Sequence, residues 1–290
     1  MTTSNASSLP KIDWEAWYRY PWHRNGAGSD DKNQAGFWDE KSALFARKAH
    51  NREHRQDVEE FLNRFAWDPN ERVLDIAAGP GTFAVPLAGR VAHITALDAS
   101  KCMLEELNQQ ARRENVSNIS MIEGRWLTTD IEALPPHDTV LCCNALGVIS
   151  LDESGQCHMG ETIERLKKTG RKRVIILIPH ADLPMDKAMR NALRMTQNSE
   201  RQQRIAILYH LMVKYDLLPN LLIIKRPFYW FFQDLQEGVQ IIAKRLGIED
   251  DRERLALLHS HLRERLEKDQ QAYKLKYPVS QALFWWEKEA

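Results

Sequence analysis

An acidic residue closing an apolar run, with glycines directly after it, is a pattern that brings backbone close to a ligand. The run Val73-Leu74-Asp75-Ile76 leads into Ala77-Ala78-Gly79-Pro80-Gly81. Gly79 and Gly81 permit a tight turn and a close ligand approach that a side chain would obstruct, and residues 82–88 read as the next helix's first turns. A second strand-like run, residues 91–97, closes on another carboxylate, Asp98, which can grip a ribose diol. In a doubly wound sheet both carboxylates stand at the carboxyl ends of neighbouring parallel strands, in the crevice where such folds bind ligands.

These residues resemble the first motif of the class I S-adenosylmethionine-dependent methyltransferases, an acidic residue followed by G-x-G-x-G. Ala77 stands at the first glycine, where a methyl group is compatible with a backbone that keeps negative φ. The resemblance implies S-adenosylmethionine as donor and S-adenosylhomocysteine as product. It implies that Ala77, Gly79 and Gly81 lie beside the methionine part of the donor, that Asp75 orders the loop and the donor's amino group, and that Asp98 takes both ribose hydroxyls. Ala99 and Met103 are further donor-side candidates. Gly124, Arg125 and Trp126 follow the third strand, where this family commonly runs along the adenine. Asn144 and Ala145, with Leu146 on the substrate side, follow the fourth strand and face the methyl group. A dinucleotide-binding fold is the rival reading, but its G-x-G-x-x-G would place Ala84 at the third glycine, and Asp75 favours a cationic amino group over a diphosphate.

A sulfonium methyl is already activated, so alignment of the acceptor is the enzyme's main contribution. Where the acceptor must lose a proton, His180, His23 and His210 are the candidate bases, because histidine titrates near neutrality. Cys142 and Cys143 lack the Pro-Cys or Thr-Cys context of a cytosine-modifying nucleophile and read as core thiols. Cys157-His158 fits no standard ligand spacing, so no metal is expected. The Asn/Asp-Pro-Pro-Tyr/Phe run of enzymes that methylate planar amines is absent around Asn144.

The 290 residues carry 40 basic and 40 acidic side chains, a balance that disfavours a nucleic-acid substrate and leaves a small-molecule acceptor as the favoured partner. Four cysteines without C-x-x-C spacing, and an amino terminus without the layout of a signal peptide, lead to the expectation of a cytoplasmic protein. No apolar run has the length to span a bilayer, so no membrane partner is expected. Nothing in the sequence signals an oligomeric state.

The elements that must position these residues follow in an alternating order. Ser100 is a plausible N-cap for a helix over 101–114, and 119–123, 139–143 and 173–178 read as strands, with a helix over 160–168. A helix over 199–215, a long strand over 221–232, helices over 235–246 and 252–274 and a strand over 279–287 complete the chain. The family resemblance implies an α/β, Rossmann-like, doubly wound, seven-stranded and mostly parallel sheet with a C-terminal antiparallel strand pair. Residues 70–290 would be the methyltransferase domain and residues 1–69 an N-terminal helical lid, with helices over 39–51 and 57–65. The lid reading comes from Trp14, Trp17, Tyr18, Tyr20, Trp22, Phe37 and Trp38, which flank the stretch 25–31; most would pack the segment onto the domain, with Tyr18 and Trp22 as substrate candidates. Two other classes stay open: a methyltransferase of RNA or protein, and a donor-binding protein without catalysis.

Overall fold

Apolar residues on both faces make the central strands of this sheet, because helices cover it on either side. The computed structural model describes residues 12–16, 35–179, 187–195, 200–269 and 272–288. The Tyr18, Trp22, His23 and His180 candidates lie outside the described residues. The helices are α1 (Ala35–Asp39), α2 (Ser42–His50), α3 (Arg52–Leu62), α4 (Ala84–Ala88), α5 (Lys101–Arg113), α6 (Leu146–Ile149), α7 (Met159–Thr169), α8 (Lys187–Ala192), α9 (Glu200–Lys214), α10 (Leu235–Leu246) and α11 (Arg252–Arg265). The strands are β1 (Arg72–Ile76), β2 (His93–Asp98), β3 (Ile119–Glu123), β4 (His137–Cys143), β5 (Gly170–Pro179), β6 (Asn220–Phe232), β7 (Leu266–Asp269) and β8 (Ala272–Glu287).

The sheet runs β3-β2-β1-β4-β5-β8-β6, parallel through β5 and antiparallel at β8. This is the doubly wound α/β architecture, with the expected antiparallel pair at its end. Leu74, Ile76, Val140 and Ile176 face a layer containing α7 and α9. Val73, Leu141 and Ile175 face the opposite layer, built from α3, α4 and Leu107 of α5.

Three local expectations differ from the structure. An eighth strand, β7, pairs with β8 where the sequence suggests helix through residue 274. Lys, Glu and Gln favour helix locally, but Leu275, Tyr277 and Val279 alternate into a buried row, and pairing with the long β6 wins. The expected helix over 39–51 breaks at residues 40–41. The next helix starts at Arg52, not near 57, because the Asn51 side chain accepts the His54 N–H at 3.0 Å and caps it there.

Register shows where the extra length goes. Pro179, at the top of β5, pairs with Gln281, and Gln281 pairs with Ile224. The β6–β8 ribbon therefore rises past the carboxyl ends of the parallel strands, by about 25 Å at the usual strand rise. A separate core forms there: Phe232, Leu275 and Tyr277 of the ribbon pack with Val239 and Ile242 of α10, Leu258 and Leu262 of α11, and Met189 of α8. The amino-terminal helices grip the same ribbon, Lys274 meeting Glu53 at 3.0 Å. Among the described residues no helix is long and apolar enough to cross a membrane.

The opposite edge of the sheet is tied by one buried guanidinium. Arg173 Nη2 donates to both Glu71 oxygens at 3.1 and 3.0 Å, Nε to Thr139 Oγ1 at 2.8 Å and Nη1 to the Ala66 carbonyl at 2.9 Å. It lies 4.5 Å from the Trp67 ring centre. Removing one partner strands the other charge in low dielectric, so Glu71→Ala is expected to cost about 3 kcal/mol or more in urea denaturation. A loss under about 1 kcal/mol would contradict this account of how β1, β4 and β5 are held.

Candidate active site

The turn after β1 is held in a backbone shape that most side chains resist. Ala77, Gly79 and Gly81 take φ of 55°, 55° and 85°. Ala77 thus departs from the negative φ expected of it; reversing the chain above Asp75 demands left-handed residues, at a cost of about 1 kcal/mol for one bearing a Cβ. A Cβ added at Gly79 would meet nothing within 4 Å, so the turn faces open space there. At Gly81 it would stand 2.9 Å from Val85 Cγ2 and 3.0 Å from Leu107 Cγ. That glycine lets the turn pack on α4 and α5, a requirement separate from ligand approach.

Asp98 ties the turn to the end of β2. Its Oδ2 accepts the Gly79 N–H at 2.8 Å and its Oδ1 accepts the Ser100 N–H at 2.9 Å. Each oxygen keeps acceptor capacity, so a vicinal diol can donate one hydroxyl to each. Burial raises the Asp98 pKa, with the backbone N–H bonds opposing and the Asp39 charge adding to the rise. Asp39, from the amino-terminal segment, accepts the Ser100 hydroxyl at 2.6 Å and the Cys102 N–H at 3.2 Å. The Ser100 bond holds its pKa below the ordinary value. Ser100 also accepts the Met103 N–H at 3.1 Å, the expected cap of α5.

Asp75 is 2% exposed and its Oδ2 has no hydrogen-bond partner. Burial first, then the nearby Asp98 charge, push its pKa up to about 8. At neutral pH the carboxyl is mostly protonated, and a cation placed beside it would favour the ionised form.

The other candidates are placed as follows. The Gly124 N–H donates to the Asp98 carbonyl at 2.9 Å, and Arg125 Nη2 reaches the Leu151 carbonyl at 3.0 Å. Trp126 is buried in the core with its indole N–H unpartnered and the Arg165 guanidinium 5.2 Å from its ring centre. Ala99 is half-buried between Asp98 and Ser100, and Met103 is buried in the first turn of α5. Asn144 is exposed with φ 61°, Ala145 is half-buried and Leu146 is buried. β1 and β4 are in register at Asp75 and Leu141, which puts Asn144 level with the residues of the glycine turn. His210 stacks on Trp14 with ring centres 4.5 Å apart. It lies toward the end of α9 that meets α7 through Lys167 and Tyr215, beside the start of β5, so the structure does not bring it to the turn.

Sequence reasoning missed Asp39 and Gln281. Gln281 Nε2 donates to Asn144 Oδ1 at 2.7 Å. A lone glutamine inside the apolar run 279–284 was a signal for it; Asp39 has none, since its partners lie some sixty residues away.

The glycine turn facing open space, the diol-accepting capacity of Asp98 and the unpartnered Asp75 oxygen fit a nucleoside bearing an amino group. Residues 73–177 match the family model described as "Methyltransferase domain". Within that stretch the chain carries a methyltransferase domain. An uncharacterised protein of Haemophilus influenzae is 30% identical over 139 residues, 48% of each chain. A 23S rRNA (uracil(1939)-C(5))-methyltransferase, RlmD, of Chromohalobacter salexigens is 47% identical over 71 residues, 24% of this chain and 15% of that one. The chain therefore spans about half the length of the first of these relatives and less of the second. Among solved structures, magnesium protoporphyrin IX methyltransferase of Synechocystis PCC 6803 with bound S-adenosylhomocysteine is 15% identical, covering 88% of this chain and 96% of that one at a TM-score of 0.47.

The Asp75 carboxyl gives the methyltransferase domain a pH signature. Folding raises its pKa from 3.8 to about 8, so the folded ligand-free protein holds a proton that the unfolded chain has released, and stability falls as pH rises through that window. Asp75→Asn removes the slope. In urea denaturation without ligand, the variant is expected to be more stable than wild type by a margin that widens from about pH 5 to about pH 8. A margin that narrows over that range would contradict the buried, protonated carboxyl.

Proposed function

We propose that this protein is a methyltransferase that moves the methyl group of S-adenosylmethionine to a small-molecule acceptor. The observation that carries the reading is the glycine turn fastened by Asp98 and standing over the buried Asp75. In this reading Asp98 holds the ribose, the Gly79 backbone gives room to the methionine part, and Asp75 faces the amino group. Gly124 and Arg125 border the adenine side, and Asn144 stands at the end of β4 toward the acceptor. Held by these residues, S-adenosylmethionine would supply an activated methyl group for in-line displacement by the acceptor's lone pair, leaving S-adenosylhomocysteine, and a proton lost by the acceptor would go to water.

The ribbon and its α10–α11 cap, rising beside the carboxyl ends of the strands, support a walled acceptor site over an open surface. The balance of 40 basic and 40 acidic residues supports the same choice. The amino-terminal segment would act as the lid, anchored by Asp39 next to Asp98, and the cytoplasm is the proposed compartment. Transfer to RNA is the second reading, favoured by the stretch shared with the rRNA enzyme.

Titration calorimetry with S-adenosylmethionine and S-adenosylhomocysteine tests the donor half. Binding is expected in the micromolar range, about 8 kcal/mol, and Asp98→Ala should weaken it by at least about 1 kcal/mol through the lost charge-assisted bonds. Unchanged affinity in that variant would remove the ribose assignment. A methyl-transfer screen of metabolites against total RNA then decides between the two acceptor readings.

A further inference from the structure

Gln281 sits in a strand opposite apolar partners on both sides. It is 3% exposed, between Ser280 and Ala282, and pairs with Pro179 on one side and Ile224 on the other. Its Nε2 crosses to Asn144 Oδ1 at 2.7 Å, while its own Oε1 is buried with no hydrogen-bond partner. A buried amide carbonyl left unpaired is destabilising, so a side chain of this kind in the core of a strand needs a reason.

The register gives its location. β4 follows β1 with Asp75 opposite Leu141, and β5 follows β4 with Cys143 opposite Leu177. The Asn144 N–H donates to the Leu177 carbonyl at 2.6 Å, and its φ of 61° turns the chain off the strand there. The unpaired carbonyl belongs to the same amide that touches Asn144, so it stands at the carboxyl edge of β4 and β5, level with the glycine turn. Asn144 Oδ1, already accepting one hydrogen from Gln281, has a second lone pair. The pair thus offers two neutral acceptors and asks for a donor.

We infer that Gln281 and Asn144 form an amide pair that receives the N–H or O–H of the methyl acceptor, selecting a nitrogen or oxygen nucleophile that still carries hydrogen over a carbon or thioether one. Gln281 acts as a positioning residue for Asn144 and supplies the second carbonyl. The inference rests on the donor reading above.

The probe is sinefungin, a donor analogue with a primary amine where the sulfonium methyl would stand, compared with S-adenosylhomocysteine, which has nothing there. By calorimetry the wild type is expected to bind sinefungin about tenfold more tightly, through charge-assisted bonds to the two carbonyls. Gln281→Met keeps the length and apolar burial of the side chain but removes the amide. The ratio of the two affinities should fall by at least about fivefold in this variant, with S-adenosylhomocysteine binding shifted less than sinefungin binding. Should Gln281→Met fail to fold by thermal melting, Asn144→Gly carries the test, since the position is exposed and its left-handed φ suits glycine; the same fall is expected. A ratio unchanged within about twofold in a folded variant overturns the amide pair. Failure of wild type to bind either ligand overturns the donor reading instead, and the inference with it. A purely structural role for Gln281 would move both affinities together and leave their ratio alone.

Discussion

The carboxylate of Asp98 is the fastening on which the site depends. It accepts the Gly79 N–H from the turn after β1 and the Ser100 N–H from the turn after β2, so one side chain sets the distance between two loops that have no strand pairing at that height. Ser100 extends the chain of bonds to the Met103 N–H of α5 and to Asp39 of the amino-terminal segment. Three pieces of chain separated widely in sequence, around Asp39, Gly79 and Asp98–Met103, are thereby ordered around one buried carboxylate, which retains acceptor capacity for a ligand. Such a group is worth more than its bonds, because the bonds preorganise the turn before a ligand arrives.

Local cost is concentrated in the same few residues. Ala77 is held left-handed, Asp75 is buried with an unpartnered oxygen, and Gln281 buries a carbonyl without a donor. Each of these destabilises the empty fold, and all three sit at the carboxyl edge of β1, β4 and β5 or beside it. At the opposite edge the Arg173 guanidinium bonds Glu71, Thr139 and Ala66, while His137 Nδ1 and Trp286 Nε1 are buried without partners.

The long β6–β8 ribbon gives this sheet its particular shape. Only the lower part of β8 pairs with β5; the upper part has β6 and β7 for neighbours and carries the α10–α11 core. That upper part is gripped by α3 through Glu53 and Lys274, so the amino-terminal helices and the carboxyl-terminal cap meet above the same edge of the sheet. In the proposed reading the acceptor side draws mainly on the two ends of the chain, and the donor side mainly on its middle.

This division explains how legible each half was. The donor side is written in local order: Asp75, Gly79 and Gly81 lie within one turn, Asp98 ends the next strand, and Ser100 caps the next helix, so periodicity and turn chemistry suffice to place them. The doubly wound, mostly parallel sheet and its terminal antiparallel pair followed from the resemblance that this motif carries. The sign of φ at Ala77, the packing demand at Gly81 and the early start of α3 were not legible, since each is set by neighbours that the local sequence does not name. β7 was hidden because its charged residues favour helix until β8 offers a partner. Asp39 was hidden for the same reason at longer range, and Gln281 showed only as a polar residue in an apolar run: a side chain finds Ser100 or Asn144 only after the sheet has closed, and hydrogen bonds across 61 and 137 residues have no sequence period. Sequence alone determined the glycine turn and the alternating strands and helices, because those follow from spacing along the chain; only tertiary structure brought Asp39 to Ser100 and Gln281 to Asn144, because such contacts exist solely where distant segments meet.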